Sequence, residues 1–153
     1  MKTIYCKQWS LFKKQPHCII SESEAKNKHI NGESYVAVIY EGEKIKNVIE
    51  IDKVSLTVRF YNENQENYLL YGFVKKGVKL FLNAAYHYLY DNGEKIEMTL
   101  FNFKETGELF MERSNNASEE VEQREAIVDV ACNWEAFPQF GEYQGVIKVE
   151  RES

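Results

Sequence analysis

Three histidines and three cysteines are the residues of this chain best suited to hold a metal or to attack an electrophile: His17, His29 and His87, and Cys6, Cys18 and Cys132. A structural zinc site draws its thiolates and imidazoles in close pairs, about two to four residues apart, so that one turn supplies half of the tetrahedron. His17-Cys18 is the one close pairing and does not have that spacing. A metal site would therefore have to be assembled from distant segments, and the sequence predicts neither a metal nor a cofactor. The cysteines are odd in number and form no Cys-x-x-Cys pair, which reads as reduced, mostly buried thiols. Nucleophilic catalysis calls for a Ser or Cys on a strained turn such as Gly-x-Ser-x-Gly with a base in reach. No such turn exists. The eight glycines are isolated and form no phosphate-binding loop. Carboxylates at Glu22, Glu24, Glu119 and Glu120 lie where helices would begin, so they read as solvated capping residues rather than general acids. The expectation is a protein that is not an enzyme.

Charge narrows the possible partners. The 153 residues carry 19 Lys+Arg against 24 Asp+Glu, a net charge of −5, which is poorly suited to neutralising phosphate backbones. The run Tyr86-Tyr88-Tyr90 invites comparison with sheets that stack single-stranded bases, but Asp91, Glu94 and Glu97 follow it where such surfaces place Lys or Arg. Half-buried strand tyrosines are the better reading, and no direct nucleic-acid binding is expected. Nor is a membrane partner, because no run of apolar residues reaches spanning length, and Met1 to Lys7 contains no signal-peptide core. The cytoplasm is the expected location. Asn116-Ala117-Ser118 matches a glycosylation acceptor but carries no weight without a secretory route.

What remains is a pattern of acids at turns. Glu41 and Glu43, Glu63 and Glu66, Asp91 and Glu94, and Glu105 and Glu108 each bracket a predicted turn. If several fell on one edge of a sheet they would form a negative rim able to steer and hold a basic protein. Glu63, Glu66, Asp91, Glu94, Glu105 and Glu108 are accordingly the candidate contact residues. That is also the profile expected of a nuclease inhibitor, whose target is positively charged where it grips RNA or DNA.

These positions need a scaffold, and the periodicity predicts one. Apolar residues alternate at Leu56-Val58-Phe60, at Leu80-Leu82-Ala84 into Tyr86-Tyr88-Tyr90, and less cleanly at Ile96-Met98-Leu100, as half-buried strands require. Asp91-Asn92-Gly93-Glu94 holds the Asn-Gly of a type I′ hairpin turn. Glu41-Gly42-Glu43, Lys76-Gly77 and Thr106-Gly107 supply weaker turns. Strands are predicted at 3–12, 35–40, 45–51, 55–62, 67–75, 78–90, 95–104, 107–113, 127–133 and 145–151. Ser21-Glu22-Ser23-Glu24 has capping-box spacing, and Ser118-Glu119-Glu120 predicts a second helix start, running to about residue 126. The fold class is α+β: one domain over residues 1–153, mainly antiparallel sheet with one or two short helices.

One segment stands apart. Asn133-Trp134-Glu135-Ala136-Phe137-Pro138-Gln139-Phe140-Gly141-Glu142-Tyr143 packs four aromatic rings, a proline and a turn glycine into eleven residues. Such a cluster closes a core or presents an aromatic surface. With Val146-Ile147 and the charged Glu150-Arg151-Glu152 after it, the segment resembles the immunity proteins of bacterial contact-dependent growth inhibition, the CdiI type. The resemblance implies a small cytosolic antidote that binds a cognate toxin domain one to one, often a nuclease, and blocks its active site without chemistry of its own. Asn133, Trp134, Phe137, Pro138, Phe140, Gly141 and Tyr143 are the matching positions. They read as structural: Trp134, Phe137 and Phe140 sealing the core, Pro138 setting chain direction and Gly141 permitting the turn. The alternative is a sheet protein whose aromatic-lined pocket takes a small ligand, with or without catalysis.

Overall fold

A computed structural model describes residues 1–118 and 120–151. In chain order the elements are β1 (Lys2–Ser10), β2 (Gln15–Ile20), α1 (Glu22–Ile30), β3 (Tyr35–Glu41), β4 (Lys44–Ile51), β5 (Ser55–Tyr61), β6 (Asn67–Lys76), β7 (Lys79–Asp91), β8 (Glu94–Phe103), β9 (Glu108–Asn115) and β10 (Val121–Ile127). A 3-10 turn at Ala131–Asn133 and the short strand β11 (Trp134–Ala136) follow. All strands join one antiparallel sheet in the order β10-β9-β8-β7-β6-β5-β4-β3-β1-β2, with β11 paired to β7. From β3 to β10 the chain is an uninterrupted meander, the arrangement that hairpin-length connections favour.

The local chemistry explains the turns. Asn92 and Gly93 both take positive φ, 51° and 81°, which is what a type I′ turn demands and what other residue pairs resist. At α1, Ser21 stays extended and its hydroxyl accepts from the Glu24 N–H at 3.1 Å, satisfying one of the helix's unpaired donors. Ala25 turns its methyl inward and is fully buried.

Side chains alternate between two cores. On one face Tyr35, Ala37, Ile39, Ile49, Ile51, Leu56, Val58, Phe60, Leu69, Tyr71, Phe73, Leu80 and Leu82 form the main core, covered by α1 and by residues of the C-terminal segment, Tyr143 and Val146 among them. On the opposite face a smaller core gathers Cys6, Val36, Val38, Ile45, Val48 and Tyr61. The outer half of the β1–β2 hairpin lies over this second core. There the Trp9 Nε1 donates to the Tyr61 hydroxyl at 3.1 Å, and Lys14 at the hairpin tip reaches the Gln65 carbonyl at 2.7 Å.

Four predictions need correction. The helix expected from Ser118 to about 126 is instead strand β10, paired residue for residue with β9. Glu122-Gln123-Arg124-Glu125 is polar at every position and so gives no alternation, and ladder pairing with β9 overrides the acidic helix-start signal. Glu119 of that predicted start lies outside the described residues. The strand expected at 127–133 is loop followed by the 3-10 turn, and the strand pairing comes just after it, at β11. The strand expected at 145–151 is a chain of turns in which the Val146 N–H bonds to the Tyr143 carbonyl at 3.1 Å. The free half of β7's edge goes to β11 instead, because β8 pairs only with residues 84–91 of β7. Finally, β2 and its pairing with β1 were not anticipated. Pro16 has no N–H for a ladder, and the edge position of β2 accommodates it. One α-helix is present among the described residues, so the helical part of the α+β expectation is met only loosely.

Candidate functional site

In a meander successive turns leave the sheet at alternating ends. The turns after β3, β5, β7 and β9 therefore share one end, and those after β4, β6 and β8 share the other. This parity sorts the candidate acids. Glu63, Glu66, Asp91 and Glu94 stand on the first end together with Glu41 and Glu43, whereas Glu105 and Glu108 stand on the second.

The turns of the first end touch one another. Lys44, just past the β3–β4 turn, donates through Nζ to the Glu63 carbonyl and carboxylate, each at 3.1 Å. The Tyr90 hydroxyl donates to the Asn67 carbonyl at 2.8 Å, which brings the β7–β8 hairpin against the β5–β6 turn. Asn116 of the β9–β10 turn bonds through its backbone N–H to the Ile96 carbonyl at 2.9 Å and through its amide to the Lys95 carbonyl. Four turns thus form a continuous rim.

Its acids differ in how firmly they are held. The Asn62 amide donates to Glu66 Oε1 at 3.0 Å, and Asn62 in turn accepts from the Asn64 and Glu66 N–H groups at 3.0 Å, an Asx-type turn that fixes the loop. The Gln65 side chain extends the loop's reach by bonding to both the N–H and the carbonyl of Ile45, at 2.8 and 3.0 Å. Burial, and after it the nearby Glu66 charge, pushes the Tyr90 hydroxyl up to about 12. Glu63 pairs with Lys44, but its side chain is 92% exposed, so water screens the pair heavily. Asp91 and Glu94 make no ion pair among the described residues. Lys14, Lys44, Lys46 and Lys95 sit among these acids and offset part of the charge. At the opposite end Glu105 pairs with Lys76 at 3.5 Å and Glu108 with Lys104 at 3.8 Å. The sequence alone carried the signal for this division, since turn parity follows from counting hairpins.

The aromatic segment is placed differently from the rim. Asn133 is buried and its amide donates to the Leu82 carbonyl at 2.9 Å. The Trp134 ring lies on Phe81 at 4.9 Å between centroids, half-buried. Phe137 stacks on His29 at 5.5 Å with Lys75 over its ring at 4.4 Å, and Phe140 stacks on Tyr5 at 5.1 Å. Pro138 is buried, and Gly141 takes φ +83° at an exposed turn. These rings face other parts of the chain rather than the solvent.

Beneath Phe137 and Phe140 runs a hydrogen-bonded chain that sequence reasoning missed. His29 Nδ1 and the Tyr35 hydroxyl are 2.8 Å apart, the Tyr35 and Tyr143 hydroxyls 3.1 Å, and the Tyr143 hydroxyl donates to that of Tyr5 at 3.4 Å. Burial pushes Tyr35 up to about 12 and drives Tyr5 and Tyr143 higher still. All three tyrosines stay protonated at neutral pH and serve as neutral donors and acceptors. Burial lowers His29, while the Pro138 carbonyl beside it pulls the other way and Lys75 reinforces the lowering. No spacing in the sequence signals this chain, because its members come from α1, β1, β3 and a turn near residue 143. Another tie closes the same region: Arg151 donates to the Cys132 and Gly145 carbonyls, each at 3.1 Å, and to Glu135 at 2.8 Å.

Among the described residues no group of three His, Cys, Asp or Glu side chains gathers where it could hold a metal ion. His17 and Cys18 are both exposed on β2, and His87 is exposed on β7. No helix of the described residues is long and apolar enough to cross a membrane. No protein-family profile matches the chain, and no curated protein or solved structure matches it either.

Proposed function

We propose that this protein is a cytosolic immunity protein of the contact-dependent growth inhibition kind, which binds a basic toxin domain one to one and covers its active site. The continuous acidic rim at the ends of four hairpins carries this reading. Glu41, Glu43, Glu63, Asp91 and Glu94 are exposed and Glu66 is half-buried, all carried on turns anchored to one sheet. That arrangement favours fast, steered association with a positively charged nucleic-acid-binding cleft. Backbone position is set by the ladders beneath, so little ordering entropy is lost when a partner docks. The resemblance of residues 133–143 to such immunity proteins supports the same reading, with those residues holding the fold and the rim making the contact.

The proposal assigns Glu63, Glu66, Asp91 and Glu94 to the toxin contact and leaves Glu105 and Glu108 outside it. A small-ligand pocket is less well supported. The face of the sheet between β3 and β7 is filled by Phe137, Phe140, Tyr143 and Val146. The hollows around the molecule are open grooves, such as one of about 530 Å³ beside Lys2–Tyr5.

Co-expression with the toxin domain encoded next to the gene tests the proposal. Neutralisation and a one-to-one complex are expected, and failure of every neighbouring toxin domain to bind would reject the antidote role. Given a complex, reversing Glu63, Glu66, Asp91 and Glu94 to Lys should slow association by about tenfold or more and flatten its salt dependence. The same reversal at Glu105 and Glu108 should leave the rate unchanged. Equal effects at both ends would remove the rim from the contact while leaving the antidote role intact.

A further inference from the structure

The main path of the sheet ends on two edge strands, and they are not alike. At β2 the edge is guarded: Pro16 has no N–H to offer, and Cys18 sits at φ +58°, which breaks the regular outward row of donors and acceptors. At β10 nothing of the kind interrupts the strand. Val121–Ile127 contains no proline or glycine, takes no positive φ, and pairs with β9 over all seven residues without a register shift.

The direction of its free groups is fixed by one bond. The Val128 N–H donates to the Gly107 carbonyl at 2.8 Å, so the even-numbered residues of this strand address β9. Val121, Gln123, Glu125 and Ile127 therefore point their N–H and C=O groups away from the sheet, with no backbone partner among the described residues. Charged side chains usually protect such an edge. Here Glu122 and Arg124 lie on one face of the strand and Gln123 between them on the other. Neither Glu122 nor Arg124 has an ion-pair partner among the described residues.

We propose that β10 pairs with β10 of a second copy of this chain, antiparallel, across a two-fold axis at Gln123. In that register the two Gln123 residues exchange both backbone hydrogen bonds, and Val121 and Glu125 of each copy exchange theirs with Glu125 and Val121 of the other. Glu122 then stands directly opposite Arg124 of the second copy, twice, in the non-hydrogen-bonded positions where side chains approach most closely. The strand is self-complementary in this register. Moving the axis to either neighbour, Glu122 or Arg124, sets like charges face to face. The occupant is thus specified by charge as well as by backbone. The contact is small, a pair of edge strands, so the dimer is a weak one. It is independent of the toxin-binding reading.

Sedimentation velocity over a concentration series tests the pairing. The wild-type protein should pass from monomer to dimer, and added salt should shift the transition to higher concentration. Arg124→Glu and Glu122→Arg each place like charges opposite one another and should keep the protein monomeric throughout. The double variant Glu122→Arg/Arg124→Glu restores opposite charges and should restore the dimer. Arg124→Gln, which removes a charge without reversing it, should weaken association by a smaller factor. Near-ultraviolet circular dichroism confirms that these exposed substitutions leave the fold in place. A wild-type protein monomeric at every concentration overturns the proposal. So does a dimer indifferent to both single reversals, or a double variant that stays monomeric while folded.

Discussion

His29 is the residue through which acidity should reach the fold. Burial holds its imidazole below the ordinary value of 6.5, so the neutral form is the one the folded state prefers. As pH falls through 6.5 the unfolded chain takes up its proton first, and stability is lost until the folded pKa is reached. The contribution is therefore fully present above 6.5 and diminishes below it. Urea midpoints measured between neutral and mildly acid pH should fall with pH, and His29→Gln should flatten that part of the profile. An unchanged slope in the variant would assign the loss to other groups. Two steps along the same hydrogen-bonded chain, Tyr143 is buried and its hydroxyl joins those of Tyr35 and Tyr5. Tyr143→Phe keeps the ring but strands the buried Tyr5 hydroxyl, while that of Tyr35 keeps its bond to His29, so a loss of about 1–3 kcal/mol is expected from denaturant unfolding. A loss of a few tenths would mean that water or rotation of the remaining hydroxyls compensates.

Among the elements, most strands of the meander were legible because their apolar residues alternate and four of their turns carry a glycine at positive φ, Gly42, Gly77, Gly93 and Gly107. Leu56-Val58-Phe60 and the Asn92-Gly93 turn are the clear cases, each determined by neighbours in the sequence. What resisted reading was β10, where Glu122, Gln123, Arg124 and Glu125 leave no apolar side for a pattern to mark, since neither face of this edge strand is buried. The segment after residue 136 resisted for a different reason. Val146 and Ile147 look like a strand, yet they are buried by a string of turns, and the sheet edge they would have needed is already taken by Trp134–Ala136. The acidic positions of the rim were readable one by one. Their division between two ends follows from counting the hairpins once the strands are placed. Gly107 shows how tightly one such turn is built. It takes φ +96°, and a Cβ there would lie 2.6 Å from the Val128 carbonyl oxygen at the end of β10. Gly107→Ala should therefore cost about 2–3 kcal/mol through strain and displacement of β10. Gly42→Ala, with positive φ but open space around it, should cost about 1 kcal/mol. Equal losses at the two sites, read from thermal unfolding, would show that the approach of β10 contributes nothing.

At the scale of the whole molecule, two kinds of contact coexist. Seven successive hairpins from β3 to β10 pair neighbours in the chain, the sort of contact that forms early because little loop entropy is lost. The covering of the main core instead joins Tyr143 to Tyr5, residues 138 positions apart. Interactions absent from the folding transition state affect mainly the unfolding rate. The destabilisation of Tyr143→Phe should then appear as faster unfolding with a folding rate close to that of the wild type. A folding rate slowed by the full amount would place the cover in the nucleus instead. The distance between these two tyrosines also sets an order of events during synthesis. A ribosome delivers β1, α1 and the entire meander before it delivers residues 137–147, so the nascent sheet spends that interval with the part of its apolar face beyond α1 bare. In that interval it is a natural client for holding chaperones, and the amount of finished protein in a cell should depend on how well that face is shielded until its last-made cover arrives.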